Sequence, residues 1–184
     1  MNVYDFDETI YEGDSTRDFV FYLVKKYPKC LFKLPKIGIK GISYVLKNIS
    51  KTEFKENVYS MFSYISNIDT EVETFVDTHM HCIKWWYIEQ QKDDDVIISA
   101  SPEFLLKPFM DKLGIKNLIA SKVNQVTGTY DGLNCYGEEK VVRFDAQFDR
   151  KCIDNFYSDS YSDDPMAKLA KQAFLVKGNQ LEKW

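Results

Sequence analysis

The chain has 184 residues, 45% of them hydrophobic and 28% charged, with a net charge of −4. That length suits one domain, or one core domain with an insertion, and buries enough apolar surface to fold without disulfides or structural zinc. The acidic balance argues against a dedicated nucleic-acid binder, which carries a basic excess.

In chain order, Met1 to Tyr4 is a short apolar start that runs directly into Asp5 and reads as a buried strand. Residues 15–91 have a different character. Phe19, Val20, Leu23 and Val24 fall at helical spacing, as do Val72, Phe75, Val76, Met80, Ile83, Trp86 and Tyr87, and no strand pattern interrupts them. This segment is expected to be a helical insertion between the first and second core strands. Val96-Ile97-Ile98 is the next strand, ending at Ser99. Ser101-Pro102-Glu103 then reads as a helix start, with Ser101 as the cap and a stop near Gly114. Asn117 to Ala120 is a third strand.

Residues 121–136 contain Gly128 and Asp131-Gly132 and alternate in the manner of a small β-hairpin. Gly137 to Phe144 reads as a helix. Ile153 to Tyr157 is a fourth strand. Asp163-Asp164-Pro165 opens a helix through Gln172, and Phe174 to Val176 is a fifth strand. Short apolar runs separated by helices predict an α/β fold with a parallel sheet.

Charge is unevenly spread. Residues 19–52 hold eight lysines and no acid, whereas Asp154, Asp159, Asp163 and Asp164 crowd the far end. Cys30, Cys82, Cys135 and Cys152 are scattered, and the only histidines are His79 and His81, so a zinc cluster is not expected. The cysteines read as thiols of a reducing compartment. The chain opens on no basic-then-apolar leader, and no apolar run reaches the roughly 20 residues of a membrane span. The expectation is a cytoplasmic protein; no pattern in the chain sets an oligomeric state.

Four segments carry chemistry, and each lies at a strand end or a helix start, where open α/β sheets bind ligands. Asp5-Phe6-Asp7-Glu8-Thr9 puts two carboxylates at i, i+2 after a buried strand. One can attack phosphorus, and the other can protonate a leaving oxygen and then deprotonate water. Ser99, followed by Ala100, offers a hydroxyl beside free helix amides, suited to a phosphoryl oxygen. Lys140, just inside a helix start, can neutralise a phosphate and a nucleophilic carboxylate together. Asp159 and Asp163, spaced i, i+4 after a strand, can serve magnesium, a hard cation that takes one or two carboxylates. Singly, each segment has an ordinary reading: an acidic turn, a helix cap, a surface lysine, a solvated loop.

Together and in this order they resemble the haloacid dehalogenase superfamily, in its phosphoserine phosphatase-like branch (subfamily IB). The resemblance rests on Asp5 to Thr9, Ile98 to Glu103, Thr127 through Tyr136 to Lys140, and Ser158 to Met166. It implies a Rossmann-like core at 1–14 and 92–184 with a helical cap inserted at 15–91. It also implies a phosphatase acting through an aspartyl-phosphate intermediate on a small phosphorylated metabolite. Asp5 would be the nucleophile and Asp7 the acid/base. Ser99, Ala100 and Lys140 would bind phosphate. Magnesium would be held by the Asp5 carboxylate, the Asp7 main-chain carbonyl and the Asp159 carboxylate, with Asp163 a second, water-mediated contact.

Selective phosphoserine enzymes resemble one another in a cap arginine and two glycines after the motif-two serine. Here Ala100 and Ser101 follow Ser99, and Arg17 is the only arginine before Arg143. Two alternatives stand beside the metabolite phosphatase. One is a lipid-phosphate phosphatase with a phosphatidylglycerophosphate-like substrate, motivated by the basic, apolar stretch from Leu31 to Ile49. The other is a non-catalytic phosphate-binding module, which has no need of both Asp5 and Asp7. For the basic stretch, a cap helix with solvated lysines is preferred to a membrane surface. Substrate selection is assigned to the inserted helices, with Arg17 and the lysines from Lys25 to Lys51 as candidates, Lys33, Lys36 and Lys40 among them. Asp14 and the Trp85-Trp86 pair are the fallback.

Overall fold

A computed structural model describes residues 1–184. Six strands form one sheet in the order β3-β2-β1-β4-β5-β6. They are β1 (Asn2–Tyr4), β2 (Val96–Pro102), β3 (Asn117–Ser121), β4 (Asn155–Ser158), β5 (Gln172–Lys177) and β6 (Gln180–Lys183). The first five run parallel, and β6 is an antiparallel edge strand. From β1 the chain builds outward through β2 and β3, then returns to the other side of β1 for β4 and β5. The gap between β1 and β4 is therefore the topological switch point, where the carboxyl ends of neighbouring strands diverge into a crevice.

β1 is entirely buried, as its apolar sequence dictates for the centre of a covered parallel sheet. Between Ser15 and Gln90 the chain is mainly helical: α1 (Ser15–Lys26), α2 (Leu34–Val45), α3 (Lys51–Tyr59), α4 (Ile68–His79) and α5 (Trp85–Gln90), joined by short turns, several of them 3-10. The remaining helices are α6 (Glu103–Leu113), α7 (Glu138–Asp145) and α8 (Asp164–Ala167). Gly114 ends α6 in the left-handed conformation expected of a glycine stop, at φ 73°.

One aromatic chain runs from the sheet into the inserted helices. Phe6 packs on Phe109 at 5.4 Å, Phe109 on Phe75 at 6.3 Å, and Phe75 on Phe19 at 5.2 Å between ring centroids. These rings are fully buried, each contributing roughly 1.5–3 kcal/mol from burial alone. The insertion thus shares a core with the sheet.

Four local features differ from the sequence reading. Ser101 is not a helix cap: α6 begins one residue later, after Pro102, and the Ser101 side chain is engaged elsewhere. β2 does not stop at Ser99. Ile98 pairs with Ile119 and Pro102 with Ser121, so residues 99–101 bulge opposite a single residue of β3. The helix after Pro165 ends at Ala167, because residues 168–171 turn to start β5. β6 was unread: its four residues are exposed and carry no hydrophobic alternation to mark them.

The hairpin over 121–136 is reduced to one antiparallel bridge, Val123 with Tyr130. Its tip packs on the end of α3. Gly128 has φ 74°, and a Cβ there would lie under 3.0 Å from the backbone of Tyr59. The adjoining Tyr130 amide donates to Glu56 of α3 at 2.9 Å. Gly128→Ala should therefore combine backbone strain with overlap and cost about 2–4 kcal/mol, read as a lowered urea midpoint with an unchanged slope.

Candidate active site

After β1 the chain coils tightly. The Asp5 amide donates to the Tyr157 carbonyl of β4, which extends the sheet by one bond and aims the Asp5 side chain into the switch-point crevice. The amides of Ile10 and Tyr11 both return to the Phe6 carbonyl, so buried Phe6 anchors the loop from below. Glu8 has φ 57°, an uncommon conformation for a residue with a side chain. It is held by its amide bond to the Gly13 carbonyl and by Lys84, whose buried ammonium donates to the Glu8 carbonyl at 2.5 Å and to that of Gly178 at 2.7 Å.

Two separate networks hold the two aspartates. Lys140 of α7, 2% exposed, donates at 2.7 Å to Asp5 Oδ1 and at 2.7 Å to Asp163 Oδ2. Ser158, the last residue of β4, donates to the same Asp163 oxygen at 2.7 Å. Burial works against the Lys140 ammonium, yet the two carboxylates more than offset it, and its pKa lies above the ordinary lysine value. Burial pushes the Asp5 carboxyl upward; Lys140 opposes this, and the charge of Asp163 adds to it.

Asp7 is held differently. Its Oδ1 accepts from the amide of Ser15 at 2.7 Å and from the Ser15 hydroxyl at 2.6 Å, at the start of α1. Its Oδ2 accepts from the Ser101 hydroxyl at 2.5 Å. Burial raises the Asp7 pKa, and the charge of Asp14 raises it further. A helix start and two hydroxyls thus fix the position of this carboxyl.

The β2 bulge places the second segment. Ser99 is buried, and its Oγ accepts from the Ser101 amide at 3.1 Å. The Ala100 carbonyl accepts from Lys55 of α3 at 3.2 Å and from Ser121 at 3.1 Å. Asp159 follows β4; its amide donates to the Thr9 hydroxyl at 3.0 Å, tying the fourth segment to the first. Burial raises its carboxyl pKa as well.

These residues line one cavity of about 230 Å³. The residues of the four chemistry-bearing segments that were given roles meet there: Asp5, Asp7, Ser99, Lys140, Asp159 and Asp163, with Ala100. Six acids line it (Asp5, Asp7, Glu8, Asp14, Asp159, Asp163) against three lysines, Lys51, Lys55 and Lys140. Such an excess of negative charge is hostile to an anion unless a cation joins it. The donors are hard oxygens, and buried Asp163 Oδ1 has no hydrogen-bond partner. No three acidic, His or Cys side chains converge as a ready-made cluster. Magnesium, which takes one or two carboxylates and keeps several waters, does not need one, and the donor set fits it.

The selection candidates fare less well. Lys33, Lys36 and Lys40 lie outside the cavity lining, and Lys40 is spent on Glu53 at 3.0 Å. Arg17 is exposed beside Asp18, Trp86 is buried in the core, and Trp85 points to solvent. Asp14 and Lys51 do line the cavity. Sequence reading missed Lys55, Ser15 and Ser101. Lys55 lies past the acid-free lysine stretch, beyond Glu53, and had no signal of its own, and Ser101 was hidden behind its plausible role as a cap.

A family model for haloacid dehalogenase-like hydrolases matches residues 3–168. Protein CicA of Caulobacter vibrioides is 24% identical over an alignment of 187 positions that covers 92% of this chain and 82% of CicA. Among solved structures, a protein of unknown function from Bordetella pertussis Tohama I superposes with a TM-score of 0.72 at 17% identity, covering 94% of this chain and 87% of that one. A phosphoserine phosphohydrolase-like protein from Francisella tularensis gives 0.57 at 19% identity, covering 94% and 86%. A phosphoserine phosphatase in its apo form gives 0.54 at 15% identity, covering 93% and 82%. With a match across nearly its whole length, and with the sheet order and strand-end acids described above, this chain belongs to the haloacid dehalogenase-like hydrolase family.

Proposed function

We propose that the protein is a magnesium-dependent phosphomonoester hydrolase that works through an aspartyl-phosphate on a small phosphorylated metabolite. The observation that carries this reading is the division of labour at the end of β1. Asp5 and Asp7 face one cavity, but Asp5 is bound to a buried lysine and Asp7 to neutral donors. A carboxylate beside a fixed cation suits a nucleophile that must approach an anionic phosphate. A carboxyl held by hydroxyls and an amide suits a group that gives and takes a proton. Phosphatase relatives on this fold support the same chemistry.

In the first half-reaction an Asp5 oxygen bonds to phosphorus and the ester P–O bond breaks. The departing oxygen takes the proton of Asp7. In the second, water attacks phosphorus, gives its proton to Asp7, and the acyl-phosphate bond breaks to restore Asp5. Ser99, the backbone at Ala100 and Lys140 receive the phosphoryl oxygens. Asp5, the Asp7 carbonyl and Asp159 would hold magnesium, with Asp163 behind them. The ion would neutralise the phosphoryl group and offset the surplus acids. The 15–91 helices serve as the cap, and through α3 they add Lys51 and Lys55 to the cavity. The modest cavity suits a phosphoryl group on a small leaving group.

The direct test incubates the protein with a radiolabelled phosphomonoester and magnesium, then quenches in acid. Label should be recovered on Asp5 in a hydroxylamine-sensitive bond. Asp5→Asn should keep its fold, carry no label and lose turnover by about 10⁴-fold or more. Near-native turnover in that variant would sink the mechanism. Asp7→Asn should slow hydrolysis of alkyl phosphates by about 10²–10⁴-fold yet lose far less in the burst with p-nitrophenyl phosphate, whose leaving group needs no proton. Equal losses would remove the acid role. Lys55→Met should raise the inhibition constant for inorganic phosphate about tenfold, the worth of one charge-assisted hydrogen bond. An unchanged constant would leave Lys55 a purely structural contact to Ala100.

A further inference from the structure

Helix α2 is amphipathic the wrong way round for a helix of a soluble core. Its inward side is sparse. Tyr44 stacks on Phe54 of α3 at 5.4 Å, Lys40 pairs with Glu53, and Ile37 is only partly buried. No residue of α2 is fully buried. Its outward side carries Ile39, Ile42 and Val45 at successive i, i+3 spacing, with Leu34, about three turns before Val45, on the same side. Phe32 before the helix and Leu46 after it extend the stripe. These six side chains are 42% to 80% exposed. Single exposed apolar residues are ordinary, but a contiguous stripe marks a surface that meets something.

The charges beside the stripe say what. Residues 19–52 contain eight lysines and no acid. Lys26 and Lys40 are neutralised by Glu71 and Glu53. Lys25, Lys29, Lys33, Lys36 and Lys47 have no acidic partner. At about 100° per residue, Lys36 lies beyond the Ile39 edge of the stripe and Lys33 falls beside Lys40, toward the opposite side of α2, with Lys47 just past the helix end. An apolar face backed by a polar face of unneutralised lysines matches an anionic bilayer, with apolar side chains at the acyl boundary and long lysine stems carrying the ammonium groups to the headgroups. It does not match a second copy of the chain, because a two-fold contact would bring two acid-free, lysine-bearing segments together. No helix is long and apolar enough to cross a membrane.

We propose that the surface formed by Phe32, α2 and Leu46 docks the protein on the face of an anionic lipid bilayer, by interfacial insertion of the apolar stripe with lysine contacts to the headgroups. α3, packed directly beneath α2, contributes Lys51 and Lys55 to the cavity, so docking would set the cavity close to the lipid surface. The proposal does not rest on the phosphatase reading.

The test is co-sedimentation of the full chain with phosphatidylcholine vesicles that either lack or contain about one third phosphatidylglycerol. Binding should appear only with the anionic lipid and fall as salt rises. Ile39→Ser with Ile42→Ser should weaken it at least tenfold, and Lys33→Gln or Lys36→Gln about fivefold each. The isoleucines and Lys36 are exposed and Lys33 is half-buried over the Tyr64 ring, so circular dichroism on each variant should show the fold intact. Three results would each overturn the proposal. One is the absence of sedimentation with anionic vesicles. Another is sedimentation indifferent to the isoleucine pair, which marks loose charge attraction. The third is a concentration-dependent dimer abolished by the same pair without vesicle binding, which gives the face to a second copy.

Discussion

The buried ammonium of Lys140 between Asp5 and Asp163 is the interaction on which the rest of the site depends. A charge at that depth persists only if opposite charges and hydrogen bonds surround it. Satisfying it requires three pieces of chain from distant parts of the sequence to agree within a few tenths of an ångström: the end of β1, the first turn of α7 and the loop after β4. Gly137 makes the α7 turn available. Its φ of 58° with ψ −125° is a conformation open in practice to glycine, and it swings Lys140 inward on the first turn of the helix. Arg143, one turn later, locks α7 in place through the carbonyls of Ala120 and Leu133.

That lysine leaves the site far from neutral. Six acids and three lysines share one cavity, and burial and mutual repulsion raise the carboxyl pKa values of Asp5, Asp7 and Asp159. Catalytic centres store this kind of electrostatic strain, and a cation together with a phosphoryl group can relieve it. The two aspartates are separated by environment more than by distance. They are two residues apart in the chain, but Asp5 belongs to the sheet and to α7, whereas Asp7 belongs to the start of α1 and the β2 bulge. Different neighbours can give chemically identical groups different tasks.

The inserted helices have two sides with different duties. The inner side completes the aromatic chain from Phe6 through Phe109 and Phe75 to Phe19, so the roof of the site is built on the same core as its floor. The outer layer, α2 against α3, is held by one ring stack and one ion pair. Lysines close in sequence therefore part company: Lys55 reaches down to the Ala100 carbonyl, while Lys33 and Lys36 face away.

The parallel sheet, the helical insertion and the acids and lysine at strand and helix ends were legible in the sequence. They are written in short-range signals: apolar runs, 3.6-residue periodicity, and i, i+2 and i, i+4 spacings of charge. Asp5, Asp7, Ser99, Lys140, Asp159 and Asp163, which line one cavity, each sit at or just after such a signal. What those signals cannot carry is the partner of each group, since partners lie far apart in the chain. Ser101 looks like a cap from its neighbours, and only the β2 bulge, created by pairing with β3, turns it onto Asp7. The exposed strand β6 exists because β5 offers it an edge, not because of its own pattern. The lysines of residues 25–55 are alike in sequence. Tertiary packing alone decided which face the cavity and which stay outside it, because a helix's period fixes its faces but not which of them turns inward.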